Sequence, residues 1–303
     1  MRRPPLRLPS RRGLLNVIVA ASMAAVVAAP LSGREIPAPV PHKPPPGLSE
    51  ARYAAVRQDI AAAERMAAGH GHRRRAEALR AMADPARRFL FFDGRDGGRS
   101  AEVFGDLATA ERVAVLVPGS DTSIERYDKL LSGALALQAE LGGRAAVVAW
   151  LGYPTPTTYD AALLTPGRAD AAVPALRALL EELQPAEVTL LCHSYGAVVC
   201  GRAAPLLPGV TDIVLYGAPG TGTAAPLRTR ARVWAARTSG DWISLVPHVQ
   251  VGLPFVTLGL GLDPVAPEAG TRVFPAGDGG HSDYLRPGAP ALRTIARIVS
   301  GDA

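Results

Sequence analysis

The chain has 303 residues, 48% of them hydrophobic, so it can bury a sizeable core and is large enough to be an enzyme. Its formal charge of +6 is concentrated at the start, because five arginines lie within the first twelve residues and the rest of the chain is close to neutral. No long basic stripe interleaved with aromatic residues is present, so we expect no nucleic-acid partner.

Residues 1–33 have the outline of an export signal: an arginine-rich start, an apolar alanine-rich run over 14–29, and then small residues. The pair Arg11 and Arg12 before the apolar run resembles the twin-arginine signal. Pro30 follows the candidate cleavage residues and would hinder cleavage, so an uncleaved anchor is an alternative. The pattern predicts a secreted or cell-envelope protein, and association with the envelope or a membrane surface stays open.

Residues 34–47 are rich in proline and predict a stiff extended linker. Residues 48–86 predict a small helical preface with helices over 49–68, where Ser49 is a suitable N-cap, and 72–82. The remaining residues, 87–303, are expected to form the main domain.

That domain alternates strands and helices. Two short runs around a glycine-rich turn predict a hairpin, and later strands are unbroken apolar runs; in order, the expected strands are 88–93, 101–106, 112–117, 145–151, 188–192, 213–216, 232–236 and 271–274. Helices are expected over 171–183, 195–206 and 290–299, and the spacing of Thr122 and Glu125 predicts a capping box that starts another helix. The pattern predicts an α/β class protein with the α/β-hydrolase fold: a mostly parallel central sheet covered by helices on both faces.

Ser194 occupies the position of a nucleophile in this architecture. An apolar strand runs into the tight corner at 192–196 (CHSYG), and a helix pattern follows. A serine at such a corner is lifted out of the strand end, and the helix start behind it offers amide groups to an oxyanion. Gly196 keeps one small position of the motif, whereas Cys192 replaces the usual first glycine.

The partners of the serine should follow in the order acid, then histidine. His281 comes after the last predicted strand and is the expected general base, with His248 as its rival. Asp241 follows the preceding strand and is the expected acid. The alternatives for the acid are Asp212, Asp263, Asp278 and Asp283. His193, next to the serine at a strand end, is expected to point away from it.

Stabilising the oxyanion requires two backbone N–H groups. We expect the amide of Tyr195, directly after the nucleophile, and that of Ser120, with Gly119 as the alternative. Trp150 and Tyr153 end a strand on the same edge of the sheet and are expected to line the pocket, with burial in the core as the alternative for Trp150. The apolar segment 249–262 fits a lid or acyl-facing loop as well as buried packing.

Cys192 and Cys200 are both in the corner region, one on the strand and one on the following helix. They make no disulfide framework, and the expected state is two buried free thiols.

Five short motifs together resemble the actinobacterial α/β-hydrolase family catalogued as DUF1023: 115–119 (VLVPG), 149–153 (AWLGY), 193–196 (HSYG), 261–264 (GLDP) and 280–284 (GHSDY). The resemblance covers about residue 88 to the C-terminus, and it implies a serine, aspartate and histidine hydrolase without a defined substrate. Members usually have glycine where this chain has Cys192.

The predicted function is that of an exported serine hydrolase cleaving a small-molecule or lipid ester through Ser194, His281 and Asp241. This chemistry needs no metal and no organic cofactor. Two alternatives stay open: acyl transfer to a cell-envelope alcohol, and a catalytically silent hydrolase fold that serves as a surface binding protein. The sequence does not set the oligomeric state.

Overall fold

The computed structural model describes residues 36–303 except 184–185, 208, 253 and 255–256. The helices of this part are α1 (Glu50–Gly69), α2 (Arg73–Met82), α3 (Asp128–Leu141), α4 (Gly167–Glu182), α5 (Tyr195–Ala203) and α6 (Pro290–Ser300). The strands are β1 (Arg88–Asp93), β2 (Arg99–Phe104), β3 (Arg112–Val117), β4 (Ala146–Leu151), β5 (Glu187–His193), β6 (Val210–Tyr216), β7 (Arg232–Ala236), β8 (Val251–Gly252), β9 (Thr257–Leu258) and β10 (Arg272–Val273).

Eight strands of the described chain form one sheet in the order β1-β2-β4-β3-β5-β6-β7-β10. β1 pairs antiparallel with β2 and β2 antiparallel with β4, whereas the pairs from β4 to β10 are parallel. The predicted antiparallel start and parallel continuation are therefore confirmed. Because parallel strands end at the same edge, the loops that follow β3, β5, β7 and β10 meet there.

Both faces of the sheet are covered, as expected. Side chains alternate along β3, so Val113, Val115 and Val117 pack in one apolar cluster and Ala114 and Leu116 in the other. Helices α4 and α5 contribute to the first cluster, and α3 and α6 to the second. β5 is buried between these two layers, which fixes the end of this strand as a rigid support.

The preface packs against the sheet edge. Ser49 caps α1 by accepting a hydrogen bond from the amide of Arg52 at 3.3 Å. Apolar residues of α1 and α2 share a third cluster with Phe89 and Phe92 of β1. Arg52 is buried and pairs with Glu182 of α4, so α1 is also tied to a helix of the main domain.

The predicted capping box does not form. The chain makes a 3-10 turn over Ile124–Arg126, and α3 begins only at Asp128. Glu125 instead pairs with the buried guanidinium of Arg75 in α2. The Glu125 carboxylate, which the local pattern predicts to cap a helix, therefore forms an ion pair with a different helix instead.

The predicted export signal or anchor at 1–33 lies outside the described residues. Within the described ranges, no helix combines the length and the apolar character that a membrane span requires.

Candidate active site

Ser194 sits on a strained corner between β5 and α5. Its backbone has φ 53° and ψ −126°, a conformation that non-glycine residues rarely adopt. The amide of Ser194 donates to the carbonyl of Tyr216 in β6 at 3.1 Å, which holds the corner against the neighbouring strand. This is the geometry of a nucleophile elbow, and it presents the serine hydroxyl at the edge where the loops meet.

Two glycines allow the backbone to close around this corner. A Cβ on Gly196 would lie 2.3 Å from the carbonyl oxygen of Val117, and a Cβ on Gly119 would lie 2.5 Å from the Cβ of Ser194. Both distances are shorter than a Cβ tolerates. The loop after β3 can therefore approach the serine only because both positions lack a side chain.

Ser194, His281 and Asp241 form a continuous hydrogen-bonded chain. The hydroxyl of Ser194 lies 3.0 Å from Nε2 of His281, and Nδ1 of His281 lies 2.9 and 3.0 Å from the two carboxylate oxygens of Asp241. A proton on Nδ1 is then donated to Asp241, which leaves Nε2 free to accept the serine proton. The structure brings together the three side chains expected from the sequence.

Asp241 is buried and well satisfied. Besides His281, its carboxylate accepts hydrogen bonds from the Tyr284 hydroxyl at 2.6 Å and the Ile243 amide at 2.9 Å. Burial raises the pKa of Asp241, but the hydrogen bonds from His281, Tyr284 and Ile243 lower it by more, so that pKa lies below its usual value. The carboxylate stays charged and can stabilise an imidazolium on His281.

The expected oxyanion donors also lie beside the serine. Tyr195 is the first residue of α5, and Ser120 follows the glycine that contacts Ser194. Among the described residues, no hydrogen bond occupies the amide N–H of Tyr195, Gly119 or Ser120. These amides are therefore available to a negatively charged oxygen at Ser194.

Two further residues join the network, and sequence reasoning missed both roles. His193 does not point away from the site, because Nε2 of His193 lies 2.7 Å from the carbonyl oxygen of His281. The hydroxyl of buried Tyr284 donates to Asp241 and accepts from the amide of Thr238 at 3.1 Å. The only available signal was sequence proximity, since His193 precedes the serine and Tyr284 follows His281 by three residues.

The electrostatics of His193 follow from its surroundings. Burial first, and then the neighbouring His281, lower the pKa of His193 to about 4. His193 is therefore neutral near pH 7. A neutral ring with its proton on Nε2 donates that proton to the His281 carbonyl.

The alternative acids and base have other partners. His248 and Asp263 cluster with Arg237, whose guanidinium binds Asp263 at 2.7 Å. Asp212 accepts from Arg232 and Trp234, while Asp283 accepts from the amide of Gly280 at 2.7 Å. Asp278 is exposed. None of these residues takes part in the hydrogen-bonded chain that starts at Ser194.

Trp150 and Tyr153 do not line a pocket at Ser194. Both are fully buried in an apolar cluster, where Tyr153 stacks between Trp150 and Tyr195 and its hydroxyl donates to the carbonyl of Pro118. The expectation of a pocket residue was wrong for Tyr153, and for Trp150 the alternative, burial in the core, holds. Tyr153 instead holds the backbone just before Gly119 and Ser120 through its bond to Pro118, and Trp150 packs against the Tyr153 ring.

An open cavity of about 480 Å³ lies next to this loop but away from the serine. Its walls are formed by the start of α2 and by residues after Ser120, including Arg73, Asp121 and Arg126. Ser194, Asp241 and His281 are not among its lining residues. In the part of the chain that the structure describes, no group of three or more histidine, cysteine, aspartate or glutamate side chains could hold a metal ion.

Cys192 and Cys200 form a disulfide bond, so the expectation of free thiols was wrong. Their Cα atoms are 6.4 Å apart, which is within the range that a disulfide spans. The bridge forms because the corner folds α5 back so that the second turn of this helix faces the end of β5. It links the residue two before Ser194 to the residue six after it, and both sulfur-bearing residues are fully buried.

Comparison with known proteins agrees with this architecture. A family model described as Alpha/beta hydrolase, Abhydrolase_8, matches residues 93–251, just over half of the chain. This region contains the corner with Ser194, the loop after β3 and Asp241. The chain belongs to this alpha/beta hydrolase family, and the narrower DUF1023 resemblance stays a prediction.

Two relatives that match this chain are both named as uncharacterized proteins. The uncharacterized protein Rv2079 of Mycobacterium tuberculosis is 32% identical over 252 residues, which covers 70% of this chain and 38% of the relative. The uncharacterized protein Mb0988c of Mycobacterium bovis is 34% identical over 134 residues, covering 39% of this chain and 50% of the relative. The chain thus spans about two fifths to half of the length of these relatives.

Solved structures with a similar chain trace include hydrolases. The serine hydrolase XC6422 of Xanthomonas campestris, described as lacking a lid, has a TM-score of 0.46 and 16% identity, covering 70% of this chain and 92% of that one. Esterase LipW of Mycobacterium marinum has a TM-score of 0.43 and 13% identity, covering 84% and 89%. Likeness at these values supports no inference about activity.

Proposed function

We propose that this protein is an exported serine hydrolase that cleaves carboxylic esters through Ser194, His281 and Asp241. The observation that carries the proposal is the hydrogen-bonded chain in which Ser194 Oγ lies 3.0 Å from His281 Nε2 while Asp241 binds Nδ1 at 2.9 Å. A serine that only stabilised a turn would not require a hydrogen-bonded histidine that is itself bound to a buried carboxylate.

The first half of the reaction forms an acyl-enzyme. Ser194 Oγ attacks the ester carbonyl carbon while His281 takes the hydroxyl proton, and the amides of Tyr195 and Ser120 bind the resulting oxyanion. When the oxyanion collapses, the bond to the alcohol oxygen breaks and the alcohol leaves with the proton from His281. Asp241 stabilises the imidazolium in between.

Water completes the second half. His281 removes a proton from water, whose oxygen attacks the acyl carbon, and Ser194 leaves as the hydroxyl when it recovers the proton. The product is a carboxylic acid. Acyl transfer to an envelope alcohol would use the same steps with an alcohol in place of water, and no observed contact favours it.

The disulfide supports export. Disulfides persist mainly in oxidising compartments, and the Cys192–Cys200 bridge is buried in the folded protein. Together with the signal pattern at residues 1–33, this supports a secreted or cell-envelope location. Signal cleavage can be measured from the N-terminal sequence of the exported protein.

A fluorophosphonate probe and a panel of p-nitrophenyl esters test the proposed activity. We expect the wild type to be labelled and active, and Ser194→Ala to be neither. Ser282→Ala is the matched control, because Ser282 is exposed beside His281 and bonds only Lys129 among the described residues. Folded wild type without labelling and without ester hydrolysis would defeat the proposal and favour a silent binding module. Product analysis with an added alcohol separates hydrolysis from acyl transfer.

A further inference from the structure

An apolar surface begins directly beside the His281 ring. The 3-10 turn Trp242–Leu245 follows Asp241, whose carboxylate caps it by accepting the amide of Ile243 at 2.9 Å. The centroid of the Trp242 ring lies 4.9 Å from that of His281. One carboxylate therefore fixes both His281 and the turn that carries Trp242.

The turn divides its side chains between core and solvent. Ile243 is buried, whereas Trp242 is 53% and Leu245 84% exposed. Side chains three residues apart eclipse in a 3-10 helix, so Trp242 and Leu245 share one side of the turn. Val249 and Val251 follow in the chain with 58% and 53% exposure. We call the side of the turn that carries Trp242 and Leu245 the apolar face.

The chemistry of the face is purely hydrophobic. Residues 242–251 include no aspartate, glutamate, lysine or arginine, so the segment offers no formal charge for recognising an ionic group. Large apolar side chains that stay exposed together, as Trp242 and Leu245 do, are typical of a surface that a ligand covers. Because Trp242 lies against the His281 ring, a ligand on this surface lies next to the reacting atoms.

We propose that the apolar face binds the hydrocarbon chain of the ester cleaved at Ser194, which makes medium- and long-chain esters the substrate class. This inference rests on the proposed function. Each methylene group removed from water adds about fourfold to affinity, so a chain lying along Trp242 and Leu245 raises kcat/KM with length.

Chain-length series on matched variants test the proposal. Rates are measured with p-nitrophenyl acetate, butyrate and octanoate, and with acetate esters of alcohols of increasing length, which separates binding of the acyl chain from binding of the alcohol chain. In the acyl series, the ratio of kcat/KM for octanoate to kcat/KM for acetate is compared between proteins; in the alcohol series, the ratio for the longest to the shortest alcohol is compared. We expect one of these two ratios to fall at least about fivefold in both Leu245→Ser and Trp242→Ala. Leu135→Ser, which changes a leucine on α3 that is 52% exposed, close to the exposure of Trp242, should keep the wild-type ratio.

The outcomes separate this proposal from the proposed function. Unchanged chain-length ratios in Leu245→Ser and Trp242→Ala, in a wild type that hydrolyses esters, would overturn the apolar face alone. An equal loss of kcat/KM for all ester lengths in both variants would also overturn it, because Trp242 and Leu245 would then act on His281 rather than on the hydrocarbon chain. A wild type without Ser194-dependent hydrolysis would overturn both proposals.

Discussion

Nε2 of His193 lies 2.7 Å from the backbone carbonyl oxygen of His281, and the two rings are 4.8 Å apart. This contact joins the end of β5, directly before Ser194, to the loop that carries His281. Residues 274–280 form no helix or strand, so individual loop contacts hold His281 in place, and the bond from His193 is one of them. We infer that His193 is a positioning residue for His281.

Replacing His193 tests this positioning. His193→Phe keeps a ring but loses the donor, so His281 shifts relative to Ser194, and we expect kcat to fall about 10- to 100-fold with little change in KM. His193→Gln retains an N–H donor and should recover much of kcat. Equal kcat values for wild type and His193→Phe would contradict the positioning role, and urea unfolding of both variants checks that the fold is intact.

The lowered pKa of His193 also predicts a pH dependence of stability. In the unfolded chain the pKa returns to about 6.5, so unfolding takes up a proton between about pH 4 and 6.5. The free energy of unfolding therefore falls as the pH decreases through this window, by up to about 3 kcal/mol.

His193→Phe cannot take up this proton. Denaturant unfolding of wild type and His193→Phe between pH 4 and 7 should show a smaller loss of stability in the variant. The other groups near His193, which include His281, Tyr216, Tyr284 and Asp241, are present in both proteins and serve as the internal control. Parallel stability curves would contradict the prediction.

The sequence predicted those features that depend on strand order. Unbroken apolar runs such as 112–117 and 188–192 indicate parallel strands buried on both faces, and residues after such strands meet at one edge. Ser194, Asp241 and His281 follow β5, β7 and β10, so strand order alone was enough to propose that they meet.

Other features depend on distances that the pattern does not contain. The disulfide forms because the end of β5 faces the second turn of α5. Glu125 does not cap a helix because its carboxylate pairs with the buried charge of Arg75. Trp150 ends a strand at the correct edge, yet strand periodicity does not say how completely helices cover it. Tertiary packing decided each of these cases.

The Cys192–Cys200 bridge is expected to stabilise the elbow. In the loop-entropy description, closing a loop with a sequence separation of eight contributes about 2.5 kcal/mol, so the double variant Cys192→Ala, Cys200→Ala should lose about that much free energy of unfolding. Thermal unfolding with and without dithiothreitol measures the effect. Dithiothreitol should lower the Tm of the wild type, because the bridge can be reduced once the protein unfolds, and should leave the Tm of the double variant unchanged. An equal change of Tm in both proteins would argue against the bridge.

Asp241→Asn should fold and lose most activity. An asparagine keeps the shape but carries no negative charge to stabilise the imidazolium on His281, and its NH2 group can donate to Nδ1 and favour the wrong tautomer, so kcat should fall about 10³- to 10⁴-fold. Asp278→Asn is the control, because Asp278 is exposed in the loop before His281. Activity close to wild type in Asp241→Asn would move the acid role to another residue.

Asp121 is expected to position the oxyanion loop. It follows Ser120 with φ 60°, a left-handed conformation, and its carboxylate accepts hydrogen bonds from the Thr158 amide at 3.2 Å, the Thr158 hydroxyl and the Arg126 guanidinium at 3.1 Å. Asp121→Ala loses these acceptors in a conformation that alanine disfavours, so the amide of Ser120 turns away from the oxyanion. Full loss of one oxyanion donor costs about 10²- to 10³-fold in kcat, and a partial displacement should cost about 10-fold with little change in KM.

Asp121→Asn tolerates positive φ and keeps an acceptor, so it should restore most of kcat. If Asp121→Ala matches the wild type in kcat, or if Asp121→Asn is as slow as Asp121→Ala, the carboxylate does not hold this loop.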